Sequence, residues 1–241
     1  MKLSIITPNL NGGKYLEQTI KSVIEQDYKN IEYIIIDGGS SDASIDIIKK
    51  YSKYISYYEI KKDKNMYEAL NYGFKIAKGD IFTWINSDDL YFKNCISKII
   101  YRLKKNNYNW INCISSSIKN EKLFSYQVPF FFPKKFIENG KCHKSDYGFI
   151  PQESVFFSRD LYFKCGEIPS NYKLAGDFYL WKKMAKTEKL HPINLKCAIF
   201  RKHKNQLSEN MDAYYKDLEQ LYLYKKNFLR FFYSILYFIF S

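Results

Sequence analysis

Residues 82–90, FTWINSDDL, run from apolar and aromatic side chains straight into two adjacent carboxylates, Asp88 and Asp89. Like charges side by side repel, and an apolar strand gives neither of them solvation. A hard divalent cation removes that conflict, and oxygen ligands of this kind suit Mg2+ or Mn2+. Mg2+ usually completes its shell with waters and substrate phosphates. A carboxylate pair at a strand end therefore points to a bound nucleoside diphosphate. The competing reading is a helix N-cap, in which an Asp before LYFKN stabilises the next helix. Two further polar clusters stand at strand ends: Thr7-Pro8-Asn9 and Asp37-Gly38-Gly39-Ser40.

The elements that must position these residues alternate. Residues 3–7 form a short apolar run, followed by the turn cluster PNLNGG. Residues 14–26 place Leu16, Ile20, Val23 and Ile24 on one helical face. Residues 31–37 are a continuous β-branched and aromatic run, as in a strand covered on both faces. A helix over 42–53, a strand over 55–60, a helix over 66–78 and a strand over 80–85 complete the first 90 residues. Asn65 is the expected N-cap of the third helix, with Glu68 at N3 and Gly79 ending it. Repeated strand-helix units imply a parallel sheet with right-handed crossovers, whose ligands bind beyond the carboxyl ends of the strands. Neither GxGxxG nor GxxxxGK[ST] is present, which disfavours a dinucleotide fingerprint and a P-loop. The second half is less regular. It reads as a helix over 91–105, strands over 108–115, 122–128 and 153–158, a helix over 176–186, and a polar helix near 208–227.

The 241 residues are 46% hydrophobic and 19% aromatic, enough for one sizeable core. Five scattered cysteines (95, 113, 142, 165, 197) show no CxxC spacing, so zinc and a disulfide framework are disfavoured and a reducing cytoplasm fits. The opening MKLSIITPNL has no apolar run of signal length, so no leader is expected. The net charge of +13 is uneven: residues 1–90 carry −1, 91–145 carry +9 and 146–241 carry +5. A nucleic-acid binder, a protein on an anionic membrane and a merely solvated Lys-rich surface all fit that distribution.

Four stretches, in order, resemble the family-2 inverting glycosyltransferases with the GT-A fold, above all bacterial enzymes that assemble surface glycans. They are SIITPNLNGGKYLEQTIKSVIEQDYKNIEYIIIDGGSSDAS, NMYEALNYGFKIAKGDIFTWINSDD, PQESVFF and LAGDFYLWKKMAK. The resemblance implies an α/β fold, a Rossmann-like and mostly parallel central sheet flanked by helices. Residues 1–205 would form the catalytic domain, with a nucleotide-sugar half (1–90) and an acceptor half (91–205). Residues 206–241 would be a C-terminal helical tail.

The resemblance also implies roles. Thr7, Pro8 and Asn9 would line the nucleotide pocket. Asp37 would hydrogen-bond the base, where a carboxylate suits an N–H donor such as that of uracil; Ser40 and Asp42 follow in the same loop. Lys64 and Asn71 would lie near the diphosphate or ribose. The family's metal motif is Asp-x-Asp or x-Asp-Asp, and this chain has Asn86 at the first position. Asp88 is therefore the first choice as ligand to Mn2+ or Mg2+, and Asp89 the second. Arg201 and His203, in FRKHKNQLS, would neutralise the leaving diphosphate, with His203 a further metal-ligand candidate; a basic surface loop is the alternative. Asp177 would be the catalytic base, with a helix N-cap as its alternative.

The expected reaction is transfer of a hexosyl or N-acetylhexosaminyl group from a nucleoside-diphosphate sugar, UDP-linked in the favoured case. The acceptor would be a glycan or a lipid-linked hydroxyl. A nucleotidyltransferase would need a Gly- and Arg-rich phosphate loop, of which TPNLNGGKYL is a poor version. A nucleic-acid binder would need a basic aromatic sheet face, and the strand-rich first half is near neutral. Residues 228–240 form a dense aromatic-aliphatic run after Lys225 and Lys226. As a helix they would span about 20 Å, short of the roughly 30 Å hydrocarbon core. An interfacial helix on the anionic inner membrane surface is expected of them, with packing onto the domain or across a dimer as the alternative. That makes the enzyme cytoplasmic and peripheral to the inner membrane face.

Overall fold

The computed structural model of the protein describes residues 1–120, 122–126, 131–143, 147–204 and 206–221. The strands are β1 (Leu3–Asn9), β2 (Ile31–Asp37), β3 (Tyr57–Ile60), β4 (Ile81–Trp84), β5 (Leu90–Tyr91), β6 (Trp110–Lys119), β7 (Lys122–Tyr126), β8 (Val155–Ser158) and β9 (His191–Lys202). The helices are α1 (Gly13–Ile24), α2 (Ser44–Lys50), α3 (Met66–Ile76), α4 (Ile96–Asn106), α5 (Lys134–Glu138), α6 (Arg159–Cys165), α7 (Gly176–Thr187) and α8 (Met211–Leu221). One sheet carries the strands in the order β3-β2-β1-β4-β8-β6-β9-β5, with β7 added beside β6.

The first four strands are parallel, as repeated strand-helix units require. β8 enters antiparallel between β4 and β6, while β6 and β9 run parallel. Alternate residues of β1 and β2 serve two cores. Ile6, Ile34 and Ile36 meet Leu70 and Phe74 of α3 on one face. Ile5, Tyr33 and Ile35 meet Leu16, Ile20 and Ile48 of α1 and α2 on the other. A strand buried on both faces has no polar alternation, which is why residues 31–37 read as one unbroken apolar run.

Several expected boundaries move for identifiable reasons. Residues 42–53 form α2 and then a separate 3-10 turn, Ser52–Tyr54. The helix expected from residue 91 begins at Ile96, because Leu90 and Tyr91 pair with β9 as β5. Asn65 caps α3 as expected, accepting from Tyr67 and Glu68 N–H. Glu68 accepts from Lys64 N–H rather than from the cap residue, so the capping box does not close. Gly79 is not the C-cap: α3 ends at Ile76 with Ala77 extended. A Cβ at Gly79 would lie 2.7 Å from the Ser4 backbone nitrogen, so glycine is needed there for close approach to β1.

The tail division expected at residue 205 does not coincide with a break in packing. Tyr214 and Leu218 of α8 join the same buried cluster as Phe178 and Trp181 of α7. Asp217, 2% exposed, accepts the backbone N–H groups of Lys173, Leu174 and Ala175 at 2.7, 2.6 and 3.0 Å. Those amides immediately precede α7, so a carboxylate of α8 holds the start of α7. Asp217→Ala leaves three buried or half-buried donors without that acceptor. It is expected to lower unfolding free energy by about 3 kcal/mol, read as a fall in urea midpoint with an unchanged slope. An unchanged midpoint would show that α8 does not hold the loop.

Candidate active site

The carboxyl ends of β1 and β2 are joined by a closed set of hydrogen bonds. Asp37 is fully buried. Its Oδ1 accepts from Gly39 and Ser40 N–H at 3.0 and 2.7 Å. Its Oδ2 accepts from Asn9 Nδ2 at 2.6 Å and Ser40 Oγ at 2.8 Å. Ser40 Oγ also accepts from Asn11 N–H, and Asp42 accepts from Gly13 and Ser44 N–H, the first turns of α1 and α2. Asp37 therefore ties the ends of β1 and β2 together, with four hydrogen bonds made within the protein. Thr7 is buried and shares a hydrogen bond with Tyr33 OH, and Pro8 and Asn9 are buried beside it. The Asn9 Oδ1 atom has no partner.

The acid that sequence reasoning missed is Asp63. A Cβ built on Gly38 would stand 3.0 Å from both Asp63 oxygens. Asp63 therefore fills the space a side chain at 38 would take, next to Asp37. Burial raises its pKa, and the charges of Glu68 and Asp37 add to that. The legible signal was the bare glycine after Asp37 facing the β3–α3 loop. Of the two residues expected near the diphosphate, Lys64 is exposed on that same loop. Asn71 is elsewhere: its Nδ2 donates to Ile168 O at 2.7 Å, and its Oδ1 accepts from Ile168 N and Tyr162 OH. Its carboxamide ties α3 to the loop after α6, using both acceptor positions of Oδ1 and one of the two Nδ2 hydrogens.

The two adjacent acids face opposite ways. Asp89 is fully buried, with Oδ1 accepting Arg201 N–H at 2.9 Å and Oδ2 unpartnered. Burial raises its pKa well above the carboxylate range, reinforced by the charges of Asp88 and Glu153. Neither acid caps a helix, because the chain continues into β5. Asp88 instead lies partly exposed, with Oδ2 2.9 Å from His203 Nε2. His203 Nδ1 faces the Lys204 carbonyl at 2.8 Å. Both ring nitrogens thus face oxygens that only accept, and a cation held at Nε2 would stand where a proton otherwise does. Arg201, 2% exposed, is not a free clamp. Its Nε donates to Asp88 O at 2.9 Å, a terminal nitrogen donates to Gln18 Oε1, and the guanidinium lies 4.6 Å from the Tyr15 ring centroid. Thr19 of α1 completes the arrangement by donating to Ser87 O and Asp89 O.

Asp88 Oδ2 and His203 Nε2 fit a divalent cation as a mixed oxygen and imidazole pair. Among the described residues no three His, Cys, Asp or Glu converge on one point. Asp88 and His203 are the two groups that the geometry brings together for such an ion. Asp89, turned inward, is not positioned to be one of them.

Asp177 stands in the first turn of α7. The N-cap is Ala175, without a side-chain cap bond, and Asp177 Oδ1 accepts Phe178 N–H at 2.7 Å. Its carboxyl is pushed up to about 7 by burial, with the charges of Glu153 and Asp217 adding. Glu153, which no sequence signal singled out, is buried and hydrogen-bonded by Ser115 Oγ. Its charge adds to the upward shifts of Asp89 and Asp177, and that of Asp88 adds to its own. The Tyr67 ring packs on Gly176, where a Cβ would lie 2.6 Å away. Glycine there lets α7 start against α3.

The chain and its fold have known counterparts. The family description Glycosyl transferase family 2 matches residues 4–164. An uncharacterized glycosyltransferase of Rickettsia typhi is 31% identical over 194 residues, 78% of this chain and 60% of the relative. The poly(ribitol-phosphate) beta-N-acetylglucosaminyltransferase TarP of Staphylococcus aureus is 34% identical over 162 residues, 65% of this chain and 46% of TarP. Among solved structures, S. aureus TarS 1-349 in complex with UDP-GlcNAc superposes with a TM-score of 0.71 at 15% identity, covering 87% of this chain and 61% of that one. The mannosyltransferase PcManGT of Pyrobaculum calidifontis, in complex with GDP-Man and Mn2+, gives 0.67 at 17% identity, over 90% and 61%. The chain thus spans about three fifths of the length of the Rickettsia typhi relative and of both these structures. With well over half of its residues matched, the chain belongs to glycosyl transferase family 2 and has the GT-A fold.

Proposed function

We propose that the protein moves a sugar from a UDP-sugar to an acceptor hydroxyl with inversion at the anomeric carbon. The observation that carries the reading is the carboxylate-imidazole pair of Asp88 and His203 beyond the end of β4, 2.9 Å apart. Asp177, in the first turn of α7, adds a carboxyl pushed up to about 7. The first pair suits a diphosphate; the second group suits a hydroxyl proton.

In this reading the nucleotide enters over the ends of β1 and β2. Thr7, Pro8 and Asn9 form the floor, Asp37 and Ser40 fix its shape, and Asp63 is the carboxylate left to accept an N–H of the base. Lys64 reaches from the same loop. Asp88 and His203 would hold Mn2+ or Mg2+, which when bound neutralises charge on the departing diphosphate. Arg201 acts at one remove, by holding the Asp88 carbonyl and the strand that carries His203. Asp177 accepts the acceptor's proton as its oxygen attacks from the face opposite the diphosphate. A group with a pKa near the working pH combines availability of the base form with driving force for transfer. UDP is favoured by the UDP-GlcNAc bound to the neighbour TarS, although PcManGT binds GDP-Man. The division into a donor half and an acceptor half follows the same logic, with β1–β4 on the donor side and α7 on the other.

The acceptor is read as a glycan of the cell surface, lipid-linked during assembly at the inner membrane face. Among the described residues no helix is long and apolar enough to cross a membrane. Residues 228–240, expected to lie in the interface, are outside the described residues.

A melting-temperature panel with UDP, GDP and their sugars, with Mn2+ or EDTA, tests the donor assignment. Stabilisation by UDP compounds with Mn2+ is expected, and no stabilisation by any nucleotide would contradict it. His203→Ala should weaken UDP binding in Mn2+ by about tenfold or more, to the level seen in EDTA; equal affinity in both media would remove His203 from the site. For Asp177 the signs follow from burial. Its folded pKa lies above its unfolded one, so the protonated form contributes stability that is lost as pH rises through about 7. Asp177→Asn should therefore melt higher than wild type at pH 8 and bind UDP normally. Its transfer rate should fall to less than about a hundredth. Wild-type transfer should rise with pH and level off above about 7. A flat profile, or a transferring Asn variant, would exclude Asp177 as the base.

A further inference from the structure

Lys122, Lys119 and Lys202 stand opposite one another in register across β7, β6 and β9. In-register neighbours share one face of the sheet on strands about 4.8 Å apart, and like charges directly opposite are destabilising. Lys119 and Lys122 are exposed and Lys202 partly so. A lysine on an edge strand guards the open edge against pairing, which accounts for Lys122 on β7. It does not account for Lys119, whose strand is paired on both sides. The hairpin sequence holds one acid, Glu121, against these cations.

The same corner exposes large apolar side chains. Phe124 is 62% exposed, with Lys202 Nζ 4.5 Å from its ring centroid, and Leu123 is 50% exposed. Cations beside an exposed aromatic ring match the boundary of an anionic bilayer, where rings sit at the headgroup level and lysines meet phosphates. A soluble polyanion would use the lysines but leave Phe124 in water. Lys202 immediately precedes His203, so the corner borders the candidate pocket.

We infer that the β7–β6–β9 corner, with Lys119, Lys122, Lys202 and Phe124, is a docking surface for an anionic lipid bilayer. It turns the pocket toward acceptors carried in that bilayer. It deepens the membrane part of the proposed function, and it is independent of which donor or base operates.

The test is sedimentation of the full chain with phosphatidylcholine vesicles, with and without phosphatidylglycerol. Wild type should sediment only with the anionic vesicles. A lysine near such a surface is worth about 1 kcal/mol, about fivefold in partition, so Lys119→Gln/Lys122→Gln should lose about 25-fold at low salt. Phe124→Ser keeps the charge and should lose binding in salt that screens the lysines. Both variants should retain the wild-type melting temperature, and either one suffices if the other fails to fold. Sedimentation of the double variant equal to wild type, or equal binding to vesicles without phosphatidylglycerol, overturns the inference. Binding of soluble pyrophosphate that the double variant loses, without partition to vesicles, overturns it in favour of a free phosphate ligand. None of these readings requires sugar transfer, so they fail or hold separately from the glycosyltransferase assignment.

Discussion

A buried carboxylate that takes a backbone amide from a distant strand organises this site. Asp89 Oδ1 accepts Arg201 N–H across 112 positions of sequence, and the Arg201 side chain then returns to the carbonyl of Asp88. Ser87 and Asp88 form a turn closed by Asp89 N–H donating to Asn86 O at 3.1 Å, and burying both adjacent acids would leave their repulsion uncompensated. The chain resolves this by turning Asp89 into the protein and Asp88 out of it. The inward acid positions β9, and β9 delivers His203 to the outward acid. Thr19 and Gln18 of α1 lock the same loop from the other side. The apparent repulsion of Asp88 and Asp89 is thereby converted into a device with one structural and one ligand-facing member.

The donor side is pre-organised by the same means. Four donors converge on Asp37, so the ends of β1 and β2 are rigid before any nucleotide arrives. Asp42 does likewise for the first turns of α1 and α2. Pre-formed polar frames of this kind spare the ordering cost at the moment of binding. On the opposite side, Asp217 gathers three amides ahead of α7. Buried acids thus hold backbone on both sides of the sheet.

The legible parts of the fold were those governed by local pattern. β1, β2, β4 and α3 follow from apolar runs and a cap at Asn65, because burial on both faces leaves an unbroken hydrophobic signature. β9 did not appear, since its alternation at Ile193, Leu195 and Cys197 gives way to register shifts against β6. With it went the reason Arg201 is buried. The candidate acids at 37, 88, 89 and 177 were found by type and position, but their division of labour was not. Whether Asp37 is free or saturated depends on Asn9 and Ser40, and whether Asp89 is ligand or anchor depends on a strand more than 100 residues away. The tie from Asn71 to Ile168 was not legible because Ile168 belongs to a loop without periodicity. Glu153 lies in a short irregular segment, where no pattern separates a buried acid from a solvated one.

The central claim is that the adjacent acids have different roles, and one titration tests it most directly. UDP is titrated calorimetrically, in Mn2+, into Asp88→Asn and Asp89→Asn side by side. Burial already favours the protonated form of Asp89, and an Asn oxygen can accept the same Arg201 amide. The account therefore predicts near wild-type, Mn2+-dependent affinity for Asp89→Asn and loss of the metal-dependent component for Asp88→Asn. Equal losses in the two variants, or loss confined to Asp89→Asn, would contradict it.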